Sequence, residues 1–359
     1  MKNKKQKVLM AMSGGVDSSV AAMLLKKQGF EVIGAFMKNW SDTKDDLGQC
    51  TWIADRKMAV KIASQLNIPL ITLDFEKEYR KQVVEDMYKL YKKGITPNPD
   101  IDCNNKVKFP LLWQAAKKLD ADFVATGHYL RKKGKDMLRA KDESKDQSYF
   151  LYRLSQEDLK HSLFPIGELK KTEVRKIAEE NNFPNFNRKS TTGICFIGKV
   201  NLKKFLQKKI KPKKGKILDP DGKVIGIHDG IYYYTIGQRI GPRFGIEVNK
   251  GNGKQERWYV ARKDLKKNEI IAAPEGHSLN FRKEIIIKNP HWINKKPKNK
   301  EKVLSRIRQV GELLPSTLKY SNNKYKVTLN KPITGVSEGQ AIVLYQGKIC
   351  LGGGVIGFD

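Results

Sequence analysis

Residues 11–22 read AMSGGVDSSVAA, and the apolar run VLMAM leads into them. Strand, Gly-rich turn and helix in that order hold phosphate. Gly14 and Gly15 let the backbone approach an anion and reach positive φ. A helix starting near Asp17 offers its unpaired N–H groups and the positive end of its dipole. Ser13, Ser18 and Ser19 add hydroxyl donors. The kinase-type pattern GxxxxGK[ST] is absent, because no lysine follows the glycines. A lone Gly-Gly turn also fits an ordinary strand-to-helix connection, but the full string SGGVDSS directly after a strand is more specific. Two cysteines stand in settings that suit reactive thiols. Cys103, in TPNPDIDCNNKVKF, precedes a predicted helix with Lys106 and Lys108 close by. Positive charge and a helix N-terminus both stabilise a thiolate. Cys195 lies in the Gly-flanked apolar run GICFIG. Each cysteine taken alone reads first as a small buried hydrophobe. Cys50, Cys103, Cys195 and Cys350 form no CxxC pair, and their spacings do not suit zinc.

These groups need elements to position them. Strands are predicted at KVLMAM, EVIGAFM, PLITLDF and DFVATG. Helical patterns lie between them, at Asp17–Gln28, Thr51–Leu66, Glu76–Lys92 and Lys106–Leu119. This alternation implies βαβ units and a parallel sheet with ligands beyond the carboxyl ends of its strands. SGGVDSS and TGHY (Thr126–Tyr129) both fall at such ends and should line one crevice. A further helix is expected over Lys170–Asn182, with Thr172 as its cap. After about residue 205 the pattern changes to short strands punctuated by turns. KKIKPKKGK (Lys208–Lys216) reads as a basic linker, and NKKPKNKEK (Asn294–Lys302) is a second basic stretch. The expected fold is α/β. A parallel-sheet catalytic domain over 1–205 precedes a small β-rich domain over 206–272 and a β-barrel over 273–359.

The 359 residues suit two or three domains. No apolar run approaches the ~20 residues of a membrane span. The N-terminus has no signal-peptide core, so the protein is read as cytosolic. With 70 Lys and Arg against 38 Asp and Glu, the formal charge is +32. Lysine far outnumbers arginine, so the surplus fits an AT-rich genome and, about equally well, a polyanionic partner such as RNA.

The string SGGVDSS resembles the PP-loop of the N-type ATP pyrophosphatases, which cleave ATP to AMP and pyrophosphate. MSGGVDSS, FMKNW, NPD with a cysteine three residues on, TGHY, KDQSYFL, TGICFIG, YTIGQR and CLGGG occur in this order. Together they resemble the tRNA-specific 2-thiouridylases, the MnmA family, from the first strand to the last ten residues. The resemblance implies that ATP activates the C2 oxygen of the wobble uridine in tRNA and that a cysteine persulfide supplies sulfur. Carried onto matching residues, Cys195 bears the persulfide. Cys103 resolves it, leaving a Cys103–Cys195 disulfide, and Asp100 serves as general acid or base. The ATP side would be Ala11, Met12, Ser13, Gly14, Gly15, Val16, Asp17 and Ser18, with Met37 and Gly127 lining the adenine and ribose region. Asp17 is a candidate for Mg²⁺ held against the phosphates; no separate protein metal site is expected. Asn98, Pro99 and Asp100 would meet the target base. His128, Lys145, Asp146, Gln147, Gln340, Arg306 and Ile307 match tRNA-contacting positions. The sequence departs from the family at Ile307, where an aromatic is common. The resemblance further implies tRNAs for glutamate, glutamine and lysine, a persulfide-relay donor protein, no membrane and a monomer. Two rivals are a PP-loop ligase acting on a small metabolite and a non-catalytic RNA-binding protein. The first does not need two loop cysteines and a basic β-rich tail, and the second does not need an intact SGGVDSS.

Overall fold

The computed structural model describes residues 5–43, 50–189, 195, 197, 201–241, 257–322 and 324–358. Of the motif TGICFIG only Cys195 and Ile197 fall within that set; the rest lies outside the described residues.

Strands β1 (Lys7–Ala11), β2 (Glu31–Lys38), β3 (Leu70–Asp74) and β4 (Phe123–Ala125) form where short apolar runs are bounded by turns. After them come β5 (Leu130–Lys133), β6 (Asp136–Arg139) and β7 (Ser162–Leu163). The first sheet is parallel, in the order β3-β2-β1-β4-β7. The chain moves outward from β1 through β2 to β3, then returns to the other side of β1 as β4. The crevice beyond β1 and β4 is therefore the point where strand order reverses, the usual ligand position in an open α/β sheet. Helices α1 (Val16–Lys27) and α2 (Thr51–Gln65) cover one face. On the other, Leu112 and Ala116 pack against Leu9, Ala35 and Val124.

Two helical runs differ from expectation in ways that matter for the cysteines. Residues 76–92 form a helix as expected, but Arg80–Val84 is a π-helical turn within it. The helix expected from Lys106 instead starts at Pro99 and continues through a second π-turn, Cys103–Lys108, into Phe109–Lys118. Pro99 at the first helical position and Asn98 as cap, whose Oδ1 accepts from the Ile101 N–H (3.4 Å), explain the early start. Cys103 thus lies inside the helix rather than ahead of it. The helix expected from Lys170 spans Lys171–Glu180, and Thr172 lies within it. Glu173 closes the first turn by accepting from the Lys170 N–H at 2.6 Å, so no hydroxyl cap is needed.

The chain then builds β8 (Gly215–Leu218), β9 (Val224–His228), β10 (Arg239–Ile240), β11 (Trp258–Asp264) and β12 (Glu269–Pro274). They form one sheet, β10-β11-β12-β8-β9, so the expected linker ends where β8 begins. Its apolar face, with Ile217, Ile225, Val260 and Ile270, shares a core with Tyr79, Val83, Met87, Cys103 and Val107. The second sheet therefore packs directly behind the helices that carry Cys103.

Strands β13 (Phe281–Trp292), β14 (Glu301–Arg306), β15 (Leu314–Ser321), β16 (Lys324–Thr334), β17 (Ala341–Gln346) and β18 (Ile349–Gly357) close into an antiparallel barrel. The order is β13-β16-β15-β14-β17-β18, and β18 pairs back with β13. The Gly-rich tail motif has a steric reason. A Cβ on Gly352 or Gly353 would lie 2.1 Å from the carbonyl oxygen of His291 or Ile342 on the flanking strands. The β5–β6 hairpin, which its charged sequence LRKKGKDMLR conceals, joins this barrel. Leu138 pairs with Ile349, and the Arg139 N–H donates to the Lys348 carbonyl at 2.8 Å.

Candidate active site

The turn after β1 is pre-shaped. Gly14 has φ +75°, and a Cβ there would lie 2.3 Å from the Asp55 carbonyl oxygen, so only glycine fits. Gly15 departs from expectation: as the cap of α1 it is extended, at φ −83°. Ser18 Oγ accepts from the Ser13 N–H (3.2 Å) and donates to the Gly15 carbonyl (2.9 Å). Ser19 Oγ donates to the same carbonyl at 3.0 Å. From outside, Asn185 Nδ2 donates to the Gly14 carbonyl (2.9 Å) and Arg188 Nη1 donates to it at 3.2 Å; Arg188 also pairs with Asp55. Neither Asn185 nor Arg188 carries a sequence signal. The α1 terminus and its hydroxyls suit an anion. Met12, just past β1, and Met37, near the end of β2, are buried, Met12 in the core under α1 and α2 and Met37 in the core with Leu112 and Ala116. The Asp17 carboxylate accepts from Tyr129 Oη (2.7 Å) and is ion-paired with Lys171. Among the described residues there is no cluster of three or more metal-ligating side chains. A divalent cation held by Asp17 would share its carboxylate with Lys171.

The second half of the site is a pair of thiols. Cys103 is fully buried on its π-turn, and Cys195 is half-buried beside it. Three groups fix the Cys195 backbone and sulfur. Its N–H donates to Asp100 Oδ1 (2.8 Å), its carbonyl accepts from Tyr79 Oη (2.5 Å), and its Sγ lies 3.8 Å from Lys108 Nζ. Lys108 is buried and also donates to Asn104 Oδ1 at 2.9 Å. Its Nζ lies 3.4 Å from His128 Nε2. An ammonium only donates, so Nε2 is the acceptor and Nδ1 carries the proton toward Thr126 Oγ1, 2.7 Å away. Burial, reinforced by the Lys108 charge, holds His128 well below its usual pKa and so neutral.

The two thiols differ electrostatically, in the opposite sense to the sequence expectation. Burial pushes Cys103 well above the ordinary thiol range. Hydrogen bonding from Cys103 and then the Lys108 charge hold Cys195 below it, against the opposing effect of burial. Lys106, expected to assist Cys103, is paired with Asp86 (3.0 Å) and Asp102 (3.4 Å) instead. Burial works against the Lys108 ammonium, but Cys195, Cys103 and Asp100 outweigh it and raise its pKa. Burial likewise raises Asp100, partly offset by the Cys195 N–H and Lys108. Tyr79, raised well above its usual value by burial, is a neutral donor.

Residues 126–129 connect the two halves. A Cβ on Gly127 would lie 2.7 Å from the Ser18 nitrogen, so this backbone sits directly against the first turn of α1. His128 faces Lys108, and Tyr129 holds Asp17. One tetrapeptide therefore touches both the phosphate-type loop and the cation beside Cys195.

Three profiles of known families match successive parts of the chain. They are described as tRNA methyl transferase HUP domain (residues 6–199), tRNA methyl transferase PRC-barrel domain (203–274) and Aminomethyltransferase beta-barrel domain (282–356). The chain is 44% identical to the tRNA-specific 2-thiouridylase MnmA 1 of Geobacillus kaustophilus, over 98% of this chain and 96% of that one. It is 43% identical to the Vibrio cholerae tRNA-specific 2-thiouridylase MnmA, over 99% and 97%. It is 44% identical to that of Lactobacillus helveticus, over 99% and 96%. The chain belongs to the MnmA family of tRNA-specific 2-thiouridylases.

The positions carried over from the MnmA family as RNA contacts fall into two groups. Asn98 and Pro99 start the helix that bears Asp100 and Cys103. The loop before them is gripped by the other sheets. Gln340 Nε2 donates to the Thr96 (2.8 Å) and Pro97 (2.9 Å) carbonyls, and Asn98 Nδ2 donates to Gln340 Oε1 at 3.4 Å. Thr235, in YTIGQR, meets Thr96 hydroxyl to hydroxyl at 3.0 Å. Lys145 is exposed, and Gln147 Oε1 accepts from the Tyr129 N–H at 2.8 Å. The remaining positions lie deeper in the packed chain. The Asp146 side chain is completely buried, and its carboxylate accepts from Arg306 Nη1 (2.8 Å) and Ser148 Oγ (2.8 Å). Arg306 and Ile307 are only 4% and 3% exposed. The Asp146 and Arg306 charges pair with each other between the hairpin and the barrel.

Proposed function

We propose that this protein is an ATP-dependent tRNA sulfurtransferase that converts the C2 carbonyl of a wobble uridine to a thiocarbonyl. The observation that carries the reading is the 126–129 segment, which sets the α1 phosphate loop beside a polarised thiol pair. ATP, cleaved to AMP and pyrophosphate, supplies the leaving group on the C2 oxygen. Gly14, Gly15 and the α1 N–H groups hold the pyrophosphate portion, with Ser13 and Ser18 fixing the loop. Met12, Met37 and Gly127 shape the nucleoside side. Magnesium is assigned to the nucleotide's own phosphates.

The Cys195 thiolate attacks the outer sulfur of a donor persulfide, the donor's S–S bond breaks, and the donor thiol leaves. Sulfur on Cys195 then attacks C2. Cys103 attacks the Cys195 Sγ and breaks the bond to the transferred sulfur, whose electron pair forms C2=S as AMP departs. Asp100, raised by burial toward neutrality, takes the Cys103 proton. A Cys103–Cys195 disulfide remains, and a cellular dithiol must reduce it before the next cycle.

The target tRNAs are proposed to be those for glutamate, glutamine and lysine, with Asn98–Asp100 at the base. The working form is a cytoplasmic monomer served by a persulfide-relay protein. Among the described residues no helix is long and apolar enough to cross a membrane. Exposed Lys208, Lys209, Lys211, Lys213 and Lys214, together with Lys295, Lys296, Lys298 and Lys300, offer phosphate-binding charge. The division of labour is a nucleotide and thiol unit over 1–205, a buttress over 206–272 and an RNA-contacting barrel over 273–359.

The test combines 2-thiouridine analysis with persulfide trapping by alkylation and peptide mass spectrometry. Cys195→Ser should eliminate thiolation. Cys103→Ser should lose turnover yet still accept sulfur on Cys195. Sulfur found on Cys103 and never on Cys195 would reverse the assignment, and full activity without Cys195 would remove the mechanism.

A further inference from the structure

The two sulfurs lie side by side, so incoming sulfur could land on either. A thiolate attacks a persulfide and a thiol does not, so the cysteine that is ionised takes the sulfur. Among the described residues, four charged or titratable groups face this pair. Tyr79 comes from the 76–92 helix, Asp100 from its short helix, Lys108 from the π-turn and His128 from the end of β4. Tyr79 and His128 are neutral, and Asp100 is an anion or a neutral acid, so among these only Lys108 adds to the hydrogen bond from Cys103 in favouring a Cys195 thiolate. The α-helical register is also broken here. Cys103 and Lys108 bound a π-helical turn, a local distortion that recurs at functional sites.

We propose that Lys108 is the residue that decides which cysteine receives sulfur: it holds Cys195 as the thiolate and leaves Cys103 as the hydrogen-bonded thiol. This deepens the sulfurtransferase reading and rests on it. The geometry is specific. Nζ is 3.8 Å from the Cys195 sulfur and is aimed there by Asn104 Oδ1 at 2.9 Å and the neutral His128 Nε2 at 3.4 Å. His128 then acts through Lys108: a protonated imidazole would repel the ammonium, while the neutral tautomer fixed by Thr126 accepts from it. In the transfer, Cys195 S⁻ forms a bond to the outer sulfur of the donor persulfide and the donor leaves as thiolate. No oxidant or reductant is required, and the ammonium remains paired with the anion formed on Cys195. Cys103 keeps its proton until its own attack, which prevents a premature disulfide.

The experiment measures the rate of iodoacetamide alkylation of each cysteine in the free full-length protein against pH, with peptide mass spectrometry assigning the sites. It needs neither tRNA nor ATP. An opposite charge within ~4–6 Å moves a pKa by about one to three units. In Lys108→Met the midpoint for Cys195 should therefore rise by at least about one pH unit, slowing its alkylation at neutral pH about tenfold or more. Lys108→Arg should keep the midpoint nearer the wild-type value. Lys106→Met, whose ammonium faces Asp86 and Asp102, should leave the Cys195 profile in place. Slow Cys103 alkylation reports that a variant is folded; if Lys108→Met fails that check, Lys108→Gln, which can still donate to Asn104, takes its place. Sulfane sulfur from inorganic polysulfide should map to Cys195 in the wild type and lose that preference in the neutral variant. An unchanged Cys195 midpoint in a folded neutral variant overturns the proposal. If Lys108 behaves as expected but no 2-thiouridine forms with the wild-type protein, the sulfurtransferase reading fails instead.

Discussion

Gly127→Ala isolates the contact between the end of β4 and the phosphate loop. The added Cβ would lie 2.7 Å from the Ser18 nitrogen and 2.9 Å from the Asp17 carbonyl carbon and Ser18 Cα. All three are backbone atoms in the first turn of α1, so no side chain can swing away. Ordinary contact begins near 3.4 Å, so an opening of about 0.7 Å is needed between β4 and α1. Overpacking of this kind costs about 1–3 kcal/mol. A displacement approaching 1 Å at reacting groups can cost ~10²-fold in rate. ATP-dependent pyrophosphate release should therefore fall by roughly ten- to a hundredfold, with a modest loss in thermal stability. The matched control is Gly29→Ala. It carries backbone strain from φ +91° but has nothing within 4 Å of the new Cβ. That strain costs about 1–2 kcal/mol and lies away from the crevice, so pyrophosphate release should persist. If Gly127→Ala is destabilised like the control but releases pyrophosphate at the wild-type rate, the crevice between β1 and β4 is not where the nucleotide reacts.

Two further predictions follow from charge. The affinity for tRNA should fall steeply with salt, each neutralised phosphate contributing roughly −0.7 to −0.9 to the log–log slope; a nearly flat filter-binding series would reduce the +32 charge to genomic lysine bias. Lys263 joins the second sheet to the turn after the 76–92 helix by donating to the Gly94 and Tyr234 carbonyls, and burial lowers its pKa to about 8. Between that value and the unfolded ~10.4 the unfolded chain holds a proton that the folded chain lacks. The stability difference between wild type and Lys263→Met should therefore grow as pH rises across this window. A difference in denaturation midpoint that stays constant or shrinks would show that Lys263 is solvated in the native state.

The local chemistry of this protein is written in its sequence. Strand β1, the Gly-rich turn and α1 depend on hydrophobic alternation and on the backbone freedom of Gly14, both short-range properties. The parallel order of the first sheet followed from strands alternating with helices, and the thiol pair came from motif resemblance. Long-range contacts decided the rest. The electrostatic ranking of the cysteines depends on Lys108 reaching Cys195, 87 positions away, while Lys106 turns to Asp86. No spacing rule distinguishes those two lysines, because a π-turn alters which side chains share a helix face. Arg306 and Asp146 look like surface charges until the β5–β6 hairpin joins the barrel and buries both. Asn185, Arg188 and Tyr79 are ordinary in sequence and gain meaning only through the Gly14 and Cys195 carbonyls they meet. Burial and hydrogen-bond partners are properties of the packed chain, and for an ionisable group they outweigh its neighbours in sequence.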